Sequence, residues 1–188
     1  MRILVSVILI AVLNSGCTTI IDAVTPEPIA ESRDKRSFGQ SIDDSIIETK
    51  AEVNIRKASE DLKASHIAAI SHNGLVLLVG QVPNEPARLT AAKVVQKIRD
   101  VRAVQNELEI AGVSSLFTRT ADSWITGKVK TKLIGNAEIK SSRINVSTEN
   151  GVVYLMGVVK QKTGQLASEI AQATGGVQRV VKVFEYVD

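Results

Sequence analysis

The stretch His72-Asn73-Gly74-Leu75-Val76-Leu77-Leu78-Val79-Gly80 recurs as Glu149-Asn150-Gly151-Val152-Val153-Tyr154-Leu155-Met156-Gly157. In both copies an Asn-Gly pair separates two runs rich in apolar and β-branched residues, Ile67 to Ser71 preceding the first pair and Ile144 to Thr148 the second. Asn-Gly supplies the positive φ angles of a type I′ turn, so each copy predicts a β-hairpin. Two further blocks repeat in the same order at near-constant offset. Asp44-Ser45-Ile46-Ile47-Glu48-Thr49-Lys50 lines up with Asp122-Ser123-Trp124-Ile125-Thr126-Gly127-Lys128, and Val101 to Ile110 with Val177 to Tyr186. Two copies are too few for a solenoid, so the repeat predicts two domains, each with its own core, and a fragment from about Thr120 to Asp188 is expected to fold alone.

Outward from the hairpin, Asp and Ser open the first block as good N-caps, and Ser45 with Glu48 reads as a capping box. A helix is therefore expected to start there. Helix-compatible segments follow the hairpins, Glu85 to Arg99 and Gln161 to Thr174, with Gly175-Gly176 closing the second. Last strands are expected from Val104 to Ile110 and Val180 to Val187. Each copy thus reads helix, strand, strand, helix, strand: an α+β unit, αββαβ, with a three-stranded mixed sheet packed on two helices. Both helices are expected on one face of the sheet, which a right-handed crossover closes. The expected boundaries are 40–111 for the first domain, 112–120 for a linker and 121–188 for the second domain.

Composition fits this division. At 188 residues and 44% apolar the chain can bury cores, and with 3% aromatic residues those cores rest on Val, Ile, Leu and Ala. A net charge of +3 falls short of the dense basic footprint of a nucleic-acid binder, and anionic lipid is the simpler partner. At the N-terminus, Met1-Arg2 precedes an apolar run from Ile3 to Leu13 and then Asn14-Ser15-Gly16-Cys17. That is the pattern of a signal peptide over 1–16, too short to span about 30 Å of hydrocarbon. Cys17 is the only cysteine, which excludes a disulfide within the chain. Its place after small residues resembles a bacterial lipobox, with Asn14 where the pattern prefers Leu, so acylation of Cys17 is expected. Thr18 stands where Asp would signal inner-membrane retention in enteric bacteria, which implies sorting to the outer membrane. Residues 17–39, with Pro26, Pro28 and mixed charges, read as a lipidated, flexible tether.

The repeat, the Asn-Gly hairpins, the strand glycines Gly80 and Gly157 and the Val-rich last strands resemble BON domains. The similarity is closer to outer-membrane lipoproteins that carry two of them, in Asp34-Lys35-Arg36-Ser37, Asp43-Asp44, Trp124-Ile125-Thr126, Lys128-Val129, Lys140-Ser141-Ser142, Thr148-Glu149-Asn150-Gly151 and Leu155-Met156-Gly157. The resemblance implies a non-enzymatic protein without a cofactor. It implies binding of anionic phospholipid, of the phosphatidylglycerol or cardiolipin class, through the first helix of the second domain, and support of outer-membrane integrity near the division site. The candidate lipid-binding residues are Trp124, Gly127, Lys128, Lys130, Thr131, Lys132, Ile134 and Gly157.

The residues themselves support a two-faced helix there. At 100° per residue Ile125, Val129 and Leu133 form the stripe that packs on the sheet, while Trp124, Lys128, Thr131 and Gly135 point the other way. Indole with its N–H handle suits a headgroup boundary, and Lys128, Lys130 and Lys132 suit anionic lipid. The first copy has Ile46, Lys50, Glu52 and Asn54 at the places of Trp124, Lys128, Lys130 and Lys132, so the copies are expected to differ in function. A second reading packs Trp124 against the first domain and leaves the lysines solvated, with Ile46, Lys50 and Val53 of the first copy suited to interdomain contact. Catalysis is disfavoured, since His66 and His72 are the only histidines and neither a phosphate-cradling glycine loop nor metal-ligand spacing occurs. The alternative role is a protein-interaction adaptor for outer-membrane assembly machinery.

Overall fold

Both Asn-Gly pairs form the expected turns. In the computed structural model, which describes residues 38–187, φ is 51° and 75° at Asn73 and Gly74 and 48° and 73° at Asn150 and Gly151. The stretches expected to be a leader and a tether, with Cys17, lie outside the described residues except for residues 38 and 39. The first domain comprises α1 (Phe38–Ala58), α2 (Glu60–Ala64), β1 (His66–His72), β2 (Leu75–Val82), α3 (Glu85–Gln96) and β3 (Ala103–Ile110). The second comprises α4 (Leu116–Ile134), a 3₁₀ turn (Ser141–Arg143), β4 (Ile144–Glu149), β5 (Val152–Lys160), α5 (Gln161–Gln172) and β6 (Arg179–Val187). Each domain is αββαβ with one small helical addition. The sheets have orders β1-β2-β3 and β4-β5-β6, the first pair of each antiparallel and the second parallel.

The helix starts differ from those expected. Both long helices begin six residues before Asp44 or Asp122, so Ser45 sits inside α1, where its hydroxyl donates to Ser41 O at 3.0 Å. Glu48 does not close a capping box; its carboxylate accepts from Ser71 N at 2.8 Å. The N-cap of α4 is Ser115, whose Oγ accepts from Thr118 N at 3.1 Å, so much of the stretch expected to be a linker is helix. The repeated aspartates serve the hairpins instead. Asp122 Oδ2 accepts from Asn150 N at 2.9 Å and Oδ1 from Gly151 N at 2.8 Å. Asp44 does the same for Asn73 N (2.9 Å) and Gly74 N (3.0 Å), and also accepts from Ser71 Oγ at 2.6 Å. A buried carboxylate thus satisfies turn N–H groups that would otherwise lose water without compensation. Asp122→Ala is expected to cost roughly 2–5 kcal/mol by leaving those donors unsatisfied, measured as a lower urea midpoint.

The alternation of the strands then builds three cores. One face of β2 and β3, through Val76, Leu78, Val82 and Leu108, packs on Ile47, Ala51 and Ile55 of α1 and Ala87, Ala91 and Val95 of α3. Val153, Leu155 and Val159 of β5 do likewise with Ile125, Val129 and Leu133 of α4 and Ala167 and Ala171 of α5. The opposite faces meet each other: Leu77 and Val79 pack with Val152, Tyr154, Met156 and Val183, flanked by Ala68, Ile70, Leu75 and Val181. The sheets therefore stack, with the helices of each domain on the outside.

Polar contacts fix this stacking. Gln81, buried, donates to Glu149 Oε1 at 2.7 Å and accepts from Ser114 N at 3.0 Å, tying the approach to α4 to the first sheet. At the rim Arg102 Nη2 reaches both Glu185 carboxylate oxygens, at 2.9 and 2.7 Å. Burial pushes the Tyr154 phenol up to about 12, with Glu107 and Glu109 adding to the shift. Interdomain contact thus runs through the sheets and not through the α1 face expected to suit it, since Ile46 and Val53 stay exposed.

Candidate functional site

Along α4 the packing stripe is as expected: Ile125, Val129 and Leu133 are buried, together with Asp122. The opposite face carries Trp124, 72% exposed, and Ile134, 70% exposed. Trp124 does not pack against the first domain. An indole left in water by a helix whose other face is fully engaged is an exposed apolar surface in need of an explanation.

Beside Trp124 lies an open groove of about 540 Å³ lined by Trp124, Gly127, Lys128, Thr131, Lys132, Thr174 and Gly175. Its far wall is Thr174 and Gly175, just past the end of α5, which are not among the residues expected from the sequence. That omission has a physical reason: Thr174 and Gly175 meet α4 only through tertiary packing, and no local pattern marks them. The floor is opened by Gly127, where an added Cβ would meet nothing within 4 Å. Packing does not require glycine there, although glycine inside a helix costs about 1 kcal/mol relative to alanine.

The lysines are placed by the backbone of α5. Lys128 Nζ donates to Gly175 O, and Lys132 Nζ to Ala173 O at 3.2 Å. These carbonyls follow the C-terminus of α5, where cations are favoured by the helix dipole. An ammonium has three donors, so one bond to a carbonyl holds the charge at the groove edge and leaves donors for an incoming anion. Lys130 is exposed on the other flank of the Trp124 line. The groove therefore pairs an apolar floor with cations along its edges, a combination that fits the boundary between lipid headgroups and acyl chains.

Of the expected residues, the structure brings Trp124, Gly127, Lys128, Thr131 and Lys132 to one groove, with Lys130 and Ile134 on the adjoining exposed surface. Gly157 stands apart. It lies buried in β5 opposite Ile144, and a Cβ there would collide with the Arg143 carbonyl, so its glycine answers to strand pairing and not to the groove. In the first domain Ile46, Lys50, Glu52 and Asn54 occupy the corresponding places, without aromatic or comparable basic character. Among the described residues no helix is long and apolar enough to cross a membrane.

Residues 43–112 and 121–188 each match the BON domain family. The chain is 35% identical over 173 residues to the outer membrane lipoprotein DolP of Haemophilus influenzae, covering 92% of this chain and 90% of that protein. It is 34% identical over 154 residues to a 21 kDa hemolysin of Actinobacillus pleuropneumoniae, covering 82% and 79%. To the osmotically-inducible protein Y of Escherichia coli it is 29% identical over 145 residues, covering 76% and 72%.

Proposed function

The chain belongs to the BON-domain family as a two-domain, DolP-like member, and from that premise we propose that it is a non-enzymatic outer-membrane lipoprotein whose second domain binds anionic phospholipid through α4. The single observation that carries this reading is the exposed Trp124 beside a groove edged by Lys128 and Lys132. In this reading residues 1–16 are a cleaved leader and Cys17 carries the acyl chains. Residues 17–39 tether the folded part at the periplasmic face of the outer membrane, where it supports envelope integrity near the division site.

Magnitudes decide how such a contact works. Each lysine near an anionic surface contributes about 1 kcal/mol, so Lys128, Lys130 and Lys132 together give roughly 3 kcal/mol before ordering costs. That is weak for a free protein. Tethered by acyl chains, the domain is already at high local concentration beside the bilayer, so a weak contact is populated and responds to lipid composition.

The experiment is vesicle binding by the folded part, whose described residues, 38–187, belong to one compact unit. Vesicles of phosphatidylglycerol with phosphatidylcholine are expected to bind it, and phosphatidylcholine alone far less. Added salt should weaken the binding, because exposed charges attract through a screening length of about 10 Å at 0.1 M salt. Equal binding to both vesicle types would count against the reading.

A second role is favoured by one specific observation. Ile42, Ile46 and Val53 form an exposed aliphatic stripe on α1, in the outer layer away from α4, and such a stripe suits a protein partner from the outer-membrane assembly machinery.

A further inference from the structure

The exposed face of α4 extends beyond the Trp124 groove. Among the described residues the two most exposed large apolar side chains are Phe117, at 84%, and Leu116, at 75%, and both sit in the first turn of α4. At 100° per residue Phe117 lies about 20° from Trp124 around the helix axis, while Leu116 aligns with Ile134. With a rise of 1.5 Å per residue, Phe117 is roughly 10 Å from Trp124 toward the N-terminus and Ile134 roughly 15 Å beyond it. Phe117 and Trp124 thus mark a line about 10 Å long on one side of the helix, with Ile134 at the far end about 80° around the axis from Trp124.

This turn is built helix. Ser115 caps it at Thr118 N, 3.1 Å away, and its hydroxyl pairs with that of Thr118 at 2.9 Å. It contains no acidic residue, so nothing in it repels an anionic surface. In the first domain, aligned on Asp44 and Asp122, Gly39 stands where the second has Phe117 and Ile46 where it has Trp124. Both aromatic side chains of the line are therefore particular to the domain with the lysine-edged groove.

We propose that Phe117, supported by Leu116, is a second insertion point for an anionic bilayer, so that α4 lies along the membrane surface on two aromatic anchors. The inference rests on the lipid reading of the Trp124 groove and extends it. The occupant is a lipid surface because the line is continuous with that groove and has Lys128 and Lys132 along its groove side. An aromatic ring at the headgroup boundary with cations beside it is the pattern of a helix lying in the interface plane.

The test uses the full lipidated chain in vesicles of phosphatidylglycerol and phosphatidylcholine, against phosphatidylcholine alone. Trp124 is the only tryptophan, so its emission and its quenching by brominated acyl chains report contact at that position. Phe117→Trp in a Trp124→Phe background moves the reporter to the first turn. The introduced indole is expected to shift to the blue and be quenched in the anionic vesicles only. Phe117→Ser, with an unchanged unfolding midpoint, is expected to weaken Trp124 quenching several-fold. If wild-type Trp124 responds to anionic lipid while the indole from Phe117→Trp stays in water, or if Phe117→Ser leaves Trp124 quenching intact, the second anchor is overturned and the groove reading stands. If wild-type Trp124 does not respond, both fall.

Discussion

A fragment holding only the second domain, residues 112–188, is expected to lose cooperative unfolding and to aggregate, although it contains every helix and strand of one repeat. Cutting between the domains uncovers Val152, Tyr154, Met156 and Val183, which are buried against Leu77 and Val79 of the first sheet. Burying one such side chain fully stabilises by about 1.5–3 kcal/mol. Losing the contacts of four therefore approaches the 5–15 kcal/mol typical of an entire domain. The cut also removes the Gln81 partner of the buried Glu149 and the hydrogen bond that holds Ser114. A start at Thr120 is worse, because it removes the first turn of α4 as well. Urea denaturation followed by circular dichroism checks this: the intact folded part should show one transition, the fragment a broad and shallow one. A fragment that unfolds at the midpoint of the intact protein would show that the inter-sheet core adds nothing.

Much of the fold was legible because the hairpin signal is local. Asn73-Gly74 and Asn150-Gly151 dictate positive φ at both turn positions, and the repetition of the blocks doubles the information. The helix starts were not legible for an instructive reason. Asp44 and Asp122 carry the chemistry of an N-cap, and only the tertiary structure shows that they accept from turn N–H groups nearly thirty positions further along the chain. A usable signal was present, since the same Asp precedes the same Asn-Gly at nearly the same separation in both copies.

The sheet stacking left a mark that local reading passed over. Leu75 to Val79 and Val152 to Met156 are unbroken apolar runs where a strand with one solvated face would alternate, and unbroken runs mean burial on both faces. At the candidate site, helical periodicity separated Trp124 and its lysines from the packing stripe. Leu116 and Phe117 were hidden inside a stretch read as linker, although Ser115 is a favourable N-cap. The wall formed by Thr174 and Gly175 depends on how α5 packs beside α4, which no local pattern encodes.

Replacing Trp124 by glutamate is the substitution with the largest expected effect on binding. The side chain is 72% exposed, so the change removes no core contact, and surface substitutions of this kind stay within about 0.5 kcal/mol of neutral. At the membrane, however, Trp124→Glu exchanges an indole suited to the headgroup boundary for a carboxylate that anionic lipid repels. Together these are expected to weaken binding to phosphatidylglycerol vesicles by roughly a hundredfold or more, at an unchanged unfolding midpoint. Normal stability with lost binding distinguishes a contact residue from a structural one; unfolding of the variant would assign Trp124 to packing.

The most direct measurement is amide chemical-shift mapping of the folded part, from residue 38 onward, titrated with phosphatidylglycerol micelles. The expected perturbations concentrate on Trp124, Gly127, Lys128, Thr131 and Lys132, spread to Thr174 and Gly175 across the groove, and disappear in Trp124→Glu. Perturbations centred on Ile42, Ile46 and Val53 of α1, or an unchanged spectrum at saturating micelle concentration, would contradict lipid binding by α4.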